Sequence, residues 1–317
     1  MTDVTLLLSR SDLEKLLDVD ACTEALEQGF RSGSSPFAPQ RVRTDLPGPG
    51  TATALIPGLV EGVPAYTVKI NAKFPGSQPA LRGVVCLHDL GTGELLAVMD
   101  STTVTAWRTG LSAALGTHVL ARPGASRITV VGAGAQADLV MRGLAALRSW
   151  NDLVVCDLHR ERAEDFAKRH GGIATTEDRD PRTAARDADI VVLATWSRAP
   201  LLDDGDLMPG AHVTSLGADE PGKAELSAEL LTAGRVIVDD VSLAVAMGAL
   251  GTAELTTTDT AGTLSQVLRG TVPGRRSDTD VTIYTPVGLP WQDLVLAWMA
   301  YQRALATNIG SRFDFVS

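Results

Sequence analysis

Over the first hundred residues apolar and polar positions alternate in short runs broken by turn residues. From Ile128 onward the apolar runs become continuous and recur between helical stretches. In the first region a 3.6-residue period predicts helices over residues 11–17 and 20–30, opened by Ser11 and Asp20 as caps. Short β runs follow at 40–46, 51–56, 63–71, 82–88 and 94–99, punctuated by Pro47-Gly48-Pro49-Gly50 and by the hairpin signal Asp89-Leu90-Gly91-Thr92-Gly93. Residues 103–121 read as a long helix with Val104, Trp107, Leu111, Leu115 and Val119 close to one face. Beyond Arg122-Pro123-Gly124, buried-type strands are expected at 128–131, 153–156, 190–194, 212–216, 236–238 and 282–284. Helices at 135–148 and 162–170 separate the first three of these, and a last helix covers 291–307.

Strand–helix alternation at this spacing argues an α/β fold with a doubly wound parallel sheet, preceded by an antiparallel α+β segment. The apolar face of the last helix is large enough to pack back on that segment. The expected organisation is therefore a discontinuous domain of residues 1–120 and 289–317 around a Rossmann-type domain of residues 121–288. A length of 317 residues accommodates both.

Charge narrows the partners. With 28 basic and 38 acidic side chains the net charge is −10, which opposes binding to nucleic acid or to an anionic membrane surface. No apolar run approaches the ~18 residues of a membrane helix. Asp3, Asp12 and Glu14 around Leu6–Leu8 do not read as a signal peptide. Cys22, Cys86 and Cys156 lie far apart without C-x-x-C spacing, so a reduced, cytoplasmic protein is expected. The histidines at 88, 118, 159, 170 and 212 show no metal-ligand spacing, and no metal is expected.

The most specific chemistry lies at Ile128-Thr129-Val130-Val131-Gly132-Ala133-Gly134-Ala135-Gln136-Ala137, a G-x-G-x-x-A turn between an apolar strand and a long helix. Gly132 permits the tight turn, Gly134 lets the backbone approach a pyrophosphate, and Ala137 allows close helix–strand packing. Asp157, 25 residues past Gly132, ends the second strand and suits a ribose hydroxyl, favouring NAD. His159 and Arg160 follow at once and suit a phosphate, which leaves NADP open.

Three more stretches carry a resemblance: Val68-Lys69-Ile70-Asn71; L-L-A-V-M-D-S-T-T-V-T-A-W-R-T-G-L from Leu95 to Leu111; and S-L-G-A-D-E-P-G-K-A-E-L from Ser215 to Leu226. With V-G-A-G-A-Q-A between them, and Val287-Gly288 and Gln292-Asp293 near the end, the chain resembles the ornithine cyclodeaminase/mu-crystallin family over nearly its whole length. The resemblance implies a homodimer whose first domain supplies the dimer sheet and the substrate pocket, and whose second binds NAD or NADP. It implies hydride transfer at the α-carbon of a small α-amino or α-imino acid, by an amino-acid dehydrogenase or imine reductase. The alternatives are an ornithine or lysine cyclodeaminase, a lyase that recycles its NAD internally, and a cofactor-dependent binding protein like mu-crystallin itself.

The same resemblance assigns residues. Asp219 becomes the acid/base, where the sequence alone equally allows a turn residue capping a helix that begins near Ala224. Lys69, otherwise readable as a solvated strand lysine, becomes a catalytic and carboxylate-side contact. Arg108 joins substrate and cofactor, a guanidinium being suited to bidentate carboxylate capture. One substrate arginine is implied near Arg41 and Arg43, which alternate along one strand face; Arg41 fits the pattern better. Lys223 and Val287 fall at substrate positions, although Lys223 is equally readable as exposed. Thr195, Gly217, Ala135 and Gln136 fall at cofactor positions. The chain departs from the family at Tyr284-Thr285-Pro286-Val287-Gly288, where proline replaces a cofactor-contacting serine. It departs again in the short loop 72–81 and at bulky Trp107.

Overall fold

The computed structural model describes residues 4–32, 39–74, 77, 80–175 and 180–315. The chain divides into two compact units, Met1–Arg108 with Leu289–Ser317, and Thr109–Gly288.

The first unit contains β1 (Val4–Leu8), α1 (Arg10–Leu16), α2 (Val19–Ser32), β2 (Val42–Asp45), β3 (Ala52–Gly58), β4 (Ala65–Lys73), β5 (Leu81–Asp89), β6 (Leu95–Asp100) and the start of α3 (Ser101–Leu120). Its sheet runs β2-β3-β4-β5-β6-β1 and ends on the C-terminal strand Ser311–Asp314. Every pairing is antiparallel except β1 with β6. The period-2 pattern of β4 turns Ala65, Thr67, Lys69 and Asn71 inward. The C-terminal helix Pro290–Thr307 lies across β3, β4 and β5 and against α2. Gly29 of α2 makes that approach possible, since a Cβ there would fall 2.3 Å from the Trp291 ring. Both expected caps move by two residues. Ser9 rather than Ser11 caps α1, because only Ser9 stands three residues before Asp12 and closes a capping box with it. Asp18 rather than Asp20 accepts from Ala21 N at the start of α2.

The second unit takes the rest of α3, then β7 (Arg127–Val131), α4 (Ala135–Leu147), β8 (Asp152–Cys156), α5 (Arg160–His170), β9 (Ile173–Ala174), α6 (Pro181–Ala185), β10 (Ile190–Leu193), β11 (Arg198–Leu202) and β12 (His212–Ser215). After these come β13 (Ala224–Leu226), α7 (Ala228–Ala233), β14 (Arg235–Val238), α8 (Val241–Ala246), α9 (Ala249–Thr252), β15 (Gly262–Thr263), α10 (Leu264–Leu268) and β16 (Thr282–Tyr284). It is a Rossmann-type α/β unit. Eight parallel strands lie in the order β15-β14-β16-β12-β10-β7-β8-β9, with β11-β13 as a separate pair. Helices cover both faces, so β10 and β12 are buried throughout; β10 accordingly runs apolar rather than alternating, while the polar side chains of β12 are buried with it. The order reverses between β7 and β10, and in such sheets ligands bind outside the carboxyl ends of the strands at that point.

At the opposite end of β12, His212 is buried and bonds Thr282 and Thr214 hydroxyls at 2.9 Å each, while Thr214 bonds Thr117 at 2.7 Å. Burial, aided by the charges of Arg275 and Arg148, pushes the His212 pKa down to about 3, so the imidazole stays neutral. No helix begins near Ala224: that residue opens strand β13, and α7 starts at Ala228 under a Ser227 cap. Asp219 is therefore not a helix-capping residue for that segment.

Candidate functional site

Gly132 follows β7 at φ +91°, and a Cβ there would lie 2.5 Å from the Ala194 carbonyl oxygen, so only glycine fits. Gly134 is the N-cap of α4 without a side-chain cap, and a Cβ there would point into open space. This leaves the first-turn amides of a 13-residue helix, beginning with Ala135, Gln136 and the fully buried Ala137, facing a space where a phosphate fits. The Asp157 carboxylate accepts from Ala133 N and from His159 N, each at 2.8 Å, which fixes it at the mouth of the glycine turn. Arg160 pairs along α5 with Glu164 at 2.6 Å, and Arg162 stands 3.9 Å from Asp157. The cradle has the shape and donors that an adenine dinucleotide requires, with a carboxylate where the ribose would sit.

At the same carboxyl edge a second buried carboxylate ties the loops together. Glu225 Oε1 accepts from Thr195 N and Oγ1, both at 2.7 Å, and its Oε2 accepts from Ser215 Oγ at 2.8 Å and Gly217 N at 2.7 Å. Burial pushes this carboxyl up while the four donors pull it back. On balance burial prevails, and the carboxyl stands above its ordinary value. Gly217 has no room for a side chain, a Cβ lying 2.4 Å from the Thr195 carbonyl. Beyond Gly217 the Asp219 carboxylate is 43% exposed and accepts from Lys223 Nζ at 2.7 Å. Lys223 also stands 3.5 Å from Glu220, and its ammonium lies 4.8 Å from the centroid of the Trp196 ring. Burial acts to lower the Lys223 pKa, but Asp219 and Glu220 outweigh it and hold the lysine above its ordinary value, as a cation. Asp239, at the end of β14, accepts from Val287 N at 3.0 Å and Gly288 N at 2.6 Å, so it fixes the turn that presents Val287.

The first unit holds a separate ionic cluster. Lys69 Nζ donates to Asp293 Oδ2 at 2.6 Å, and Arg108 Nε stands 3.4 Å from Asp293 Oδ1. The three side chains are 1%, 2% and 8% exposed for Lys69, Asp293 and Arg108. Burial drives the Lys69 pKa down to about 8; Asp293 acts to raise it, while Arg108 and Arg41 add to the lowering. Thr67 Oγ1, Asn71 Oδ1 and Arg108 Nε are buried with no hydrogen-bond partner among the described residues. Such groups are costly to leave unpaired, which points to a polar ligand that would satisfy them. Arg41 and Arg43 do not share the cluster as their alternation suggested. Strand β2 begins only at Val42, and Arg43 pairs with Asp45 at 2.9 Å on the exposed strand, whereas Arg41 acts on Lys69.

The ornithine cyclodeaminase/mu-crystallin family model matches residues 3–308. The chain belongs to this family. An archaeal alanine dehydrogenase dimer with bound NAD superposes with a TM-score of 0.91 at 29% identity, covering 98% of this chain and 99% of that one. The Thermococcus litoralis Delta(1)-pyrroline-2-carboxylate reductase, in complex with NADH and L-proline, gives 0.88 at 26% identity over 97% and 99%. The L-lysine cyclodeaminase of Streptomyces rapamycinicus is 32% identical over 77% of each chain.

Within the family, this member's departures have local explanations. Pro286 stands in a turn held from outside by Asp239, so the turn does not depend on an amide at that position. Strand β4 runs on to Lys73 and β5 begins at Leu81, which shortens the loop between them; residues 75, 76, 78 and 79 of that loop lie outside the described ones. Trp107 is 4% exposed and acts as core. Sequence reasoning assigned no role to three buried carboxylates, Asp293, Glu225 and Asp239, although the first two stand in the motifs that carry the resemblance. Only Asp293 left a signal of burial, as a charge set on the apolar stripe of Pro290, Leu294 and Ala297.

Proposed function

We propose that the protein is an NAD-dependent oxidoreductase that transfers a hydride at the α-carbon of a small α-amino or α-imino acid. The observation that carries the reading is Asp219, a half-exposed carboxylate on the same sheet edge as a complete dinucleotide cradle. NAD, when bound, gives or takes the hydride through its nicotinamide. The first turn of α4 binds the pyrophosphate, and Asp157 takes the adenosine ribose hydroxyl, which disfavours a 2′-phosphate and hence NADP. Lys69 and Arg108, with Arg41, bind the substrate carboxylate in the cluster around Asp293. Asp219 takes the proton from the substrate nitrogen, or from water, as the amine is oxidised, and returns it in the reverse direction. Lys223 holds Asp219 in place. An acid at this position also distinguishes the chain from a purely binding relative of the mu-crystallin kind.

Absorbance at 340 nm with a panel of amino acids and cyclic imines tests this reading. Stoichiometric NADH formation or loss is expected with one of them. The 32% identical lysine cyclodeaminase supports a second reading, in which ornithine or lysine loses ammonia with no net NADH. In that case the absorbance stays flat while ammonia and a cyclic amino acid accumulate.

The reading includes a homodimer. Val42, Leu55 and Ile70 are cross-strand neighbours on β2, β3 and β4, and all three are exposed, an apolar ladder suited to a second copy. Light scattering should give twice the mass of one chain, falling to a monomer on Leu55→Lys.

A further inference from the structure

A carboxylate buried on the first turn of a helix is expensive unless it is paired, and Asp293 is paired twice. Its two partners arrive from different elements, Lys69 from β4 and Arg108 from α3. We propose that Asp293 is a positioning residue for the carboxylate site: by bridging Lys69 Nζ and the Arg108 guanidinium, it holds the two cations together and still leaves the cluster net positive for a substrate carboxylate. This rests on the function proposed above, in which the cluster receives the substrate carboxylate.

The surroundings of Lys69 make Asp293 the decisive partner. Arg108 and Arg41 are the charged groups that oppose the ammonium. Its cross-strand neighbours Ile56 and Val85 are apolar, and Thr67 and Asn71, flanking it on β4, are uncharged. Asp293 is thus the carboxylate that offsets burial at Lys69. Without it two buried cations would face each other, and the lysine, unlike the arginine, can relieve the repulsion by losing its proton.

The sequence has five lysines, at 15, 69, 73, 168 and 223, so lysine labelled with carbon-13 at Cε gives few signals. Lys69→Arg assigns the one of interest. In Asp293→Asn, the titration midpoint of Lys69 should fall by about one to three pH units relative to wild type, the effect of removing an adjacent opposite charge. Asp293→Glu should return it to within about one unit of wild type. KM for the amino or imino acid should rise in Asp293→Asn with kcat much less affected, and the alkaline limb of the KM profile should move to lower pH with the Lys69 midpoint. An unchanged Lys69 midpoint in Asp293→Asn overturns the proposal. So does a kcat loss at constant KM. If Asp293→Asn does not fold, Asp293→Glu decides alone: its Lys69 must stay within about one unit of wild type while KM rises, and an unchanged KM overturns the proposal. If wild-type protein turns over no amino or imino acid, the functional reading fails separately. The titration is then followed with acetate as the carboxylate probe, which must raise the Lys69 midpoint in wild type and not in Asp293→Asn.

Discussion

Replacing Glu225 by glutamine tests how the sheet edge is held. Each carboxylate oxygen receives one backbone amide that cannot turn away, Thr195 N on Oε1 and Gly217 N on Oε2. The hydroxyls of Thr195 and Ser215 can rotate and accept instead. Glutamine offers one oxygen and one NH2, so whichever way it faces, one backbone amide points at a donor. A buried amide left unsatisfied costs about 1–3 kcal/mol. At about 1.4 kcal/mol per tenfold, the affected amide should exchange its hydrogen about 5- to 150-fold faster through local opening. Native-state hydrogen exchange of Glu225→Gln, read at Thr195 and Gly217 with Val155 in β8 as an internal control, measures this. One of the two edge amides should lose protection while Val155 keeps it. If both Thr195 and Gly217 exchange within twofold of wild type, Glu225 is not what holds these loops, and the reasoning is wrong.

Other substitutions probe the remaining parts. Asp157→Ser should move cofactor preference toward NADP by at least about fivefold in kcat/KM, because one charge beside a partly buried phosphate is worth about 1–4 kcal/mol. The Lys69 ammonium is protonated below about pH 8, so substrate KM should be flat below that pH and climb above it; Lys69→Met should show a high KM with no such limb. His212 has a folded pKa of about 3 against an unfolded value near 6.5. Its contribution to stability is therefore complete above pH 6.5 and is lost as the pH falls toward 3. Between pH 7 and pH 5 wild type should lose about 2 kcal/mol more than His212→Asn, measured by urea unfolding at the two values.

Much of the second unit was readable because physics leaves plain marks there. A strand covered on both faces needs a continuous apolar run, as in Ile190–Leu193, and a glycine turn that allows no Cβ at Gly132 can only be written with glycine. The first unit was harder. Strand β1 is five residues long and is completed by β6 and by the Ser311–Asp314 strand, partners that local periodicity does not reveal. The boundary between the units falls between Arg108 and Thr109, inside α3, whose helical pattern runs through without a linker. Ser9 and Ser11 are equally good caps on paper until Asp12 chooses between them. The carboxylates were hidden for a common reason: an acidic letter says nothing of burial. Glu225 lies where the sequence reads as the start of a helix and Asp239 just past a strand end, and only folding surrounds them with donors. The resemblance gave roles to Lys69 and Arg108 and included Asp293 in its motif, but gave no role to this side chain standing between them.

The central claim is hydride transfer at the α-carbon. NADH carrying deuterium at both positions of nicotinamide C4 should be incubated with the purified protein and a panel of cyclic α-imino acids and of α-keto acids with ammonia, and the products read by proton NMR. The account predicts one amino-acid product with deuterium at its α-carbon, and none from Asp219→Asn even though that variant still binds NADH. NADH bound by the wild-type protein with no deuterium reaching any α-carbon would contradict it.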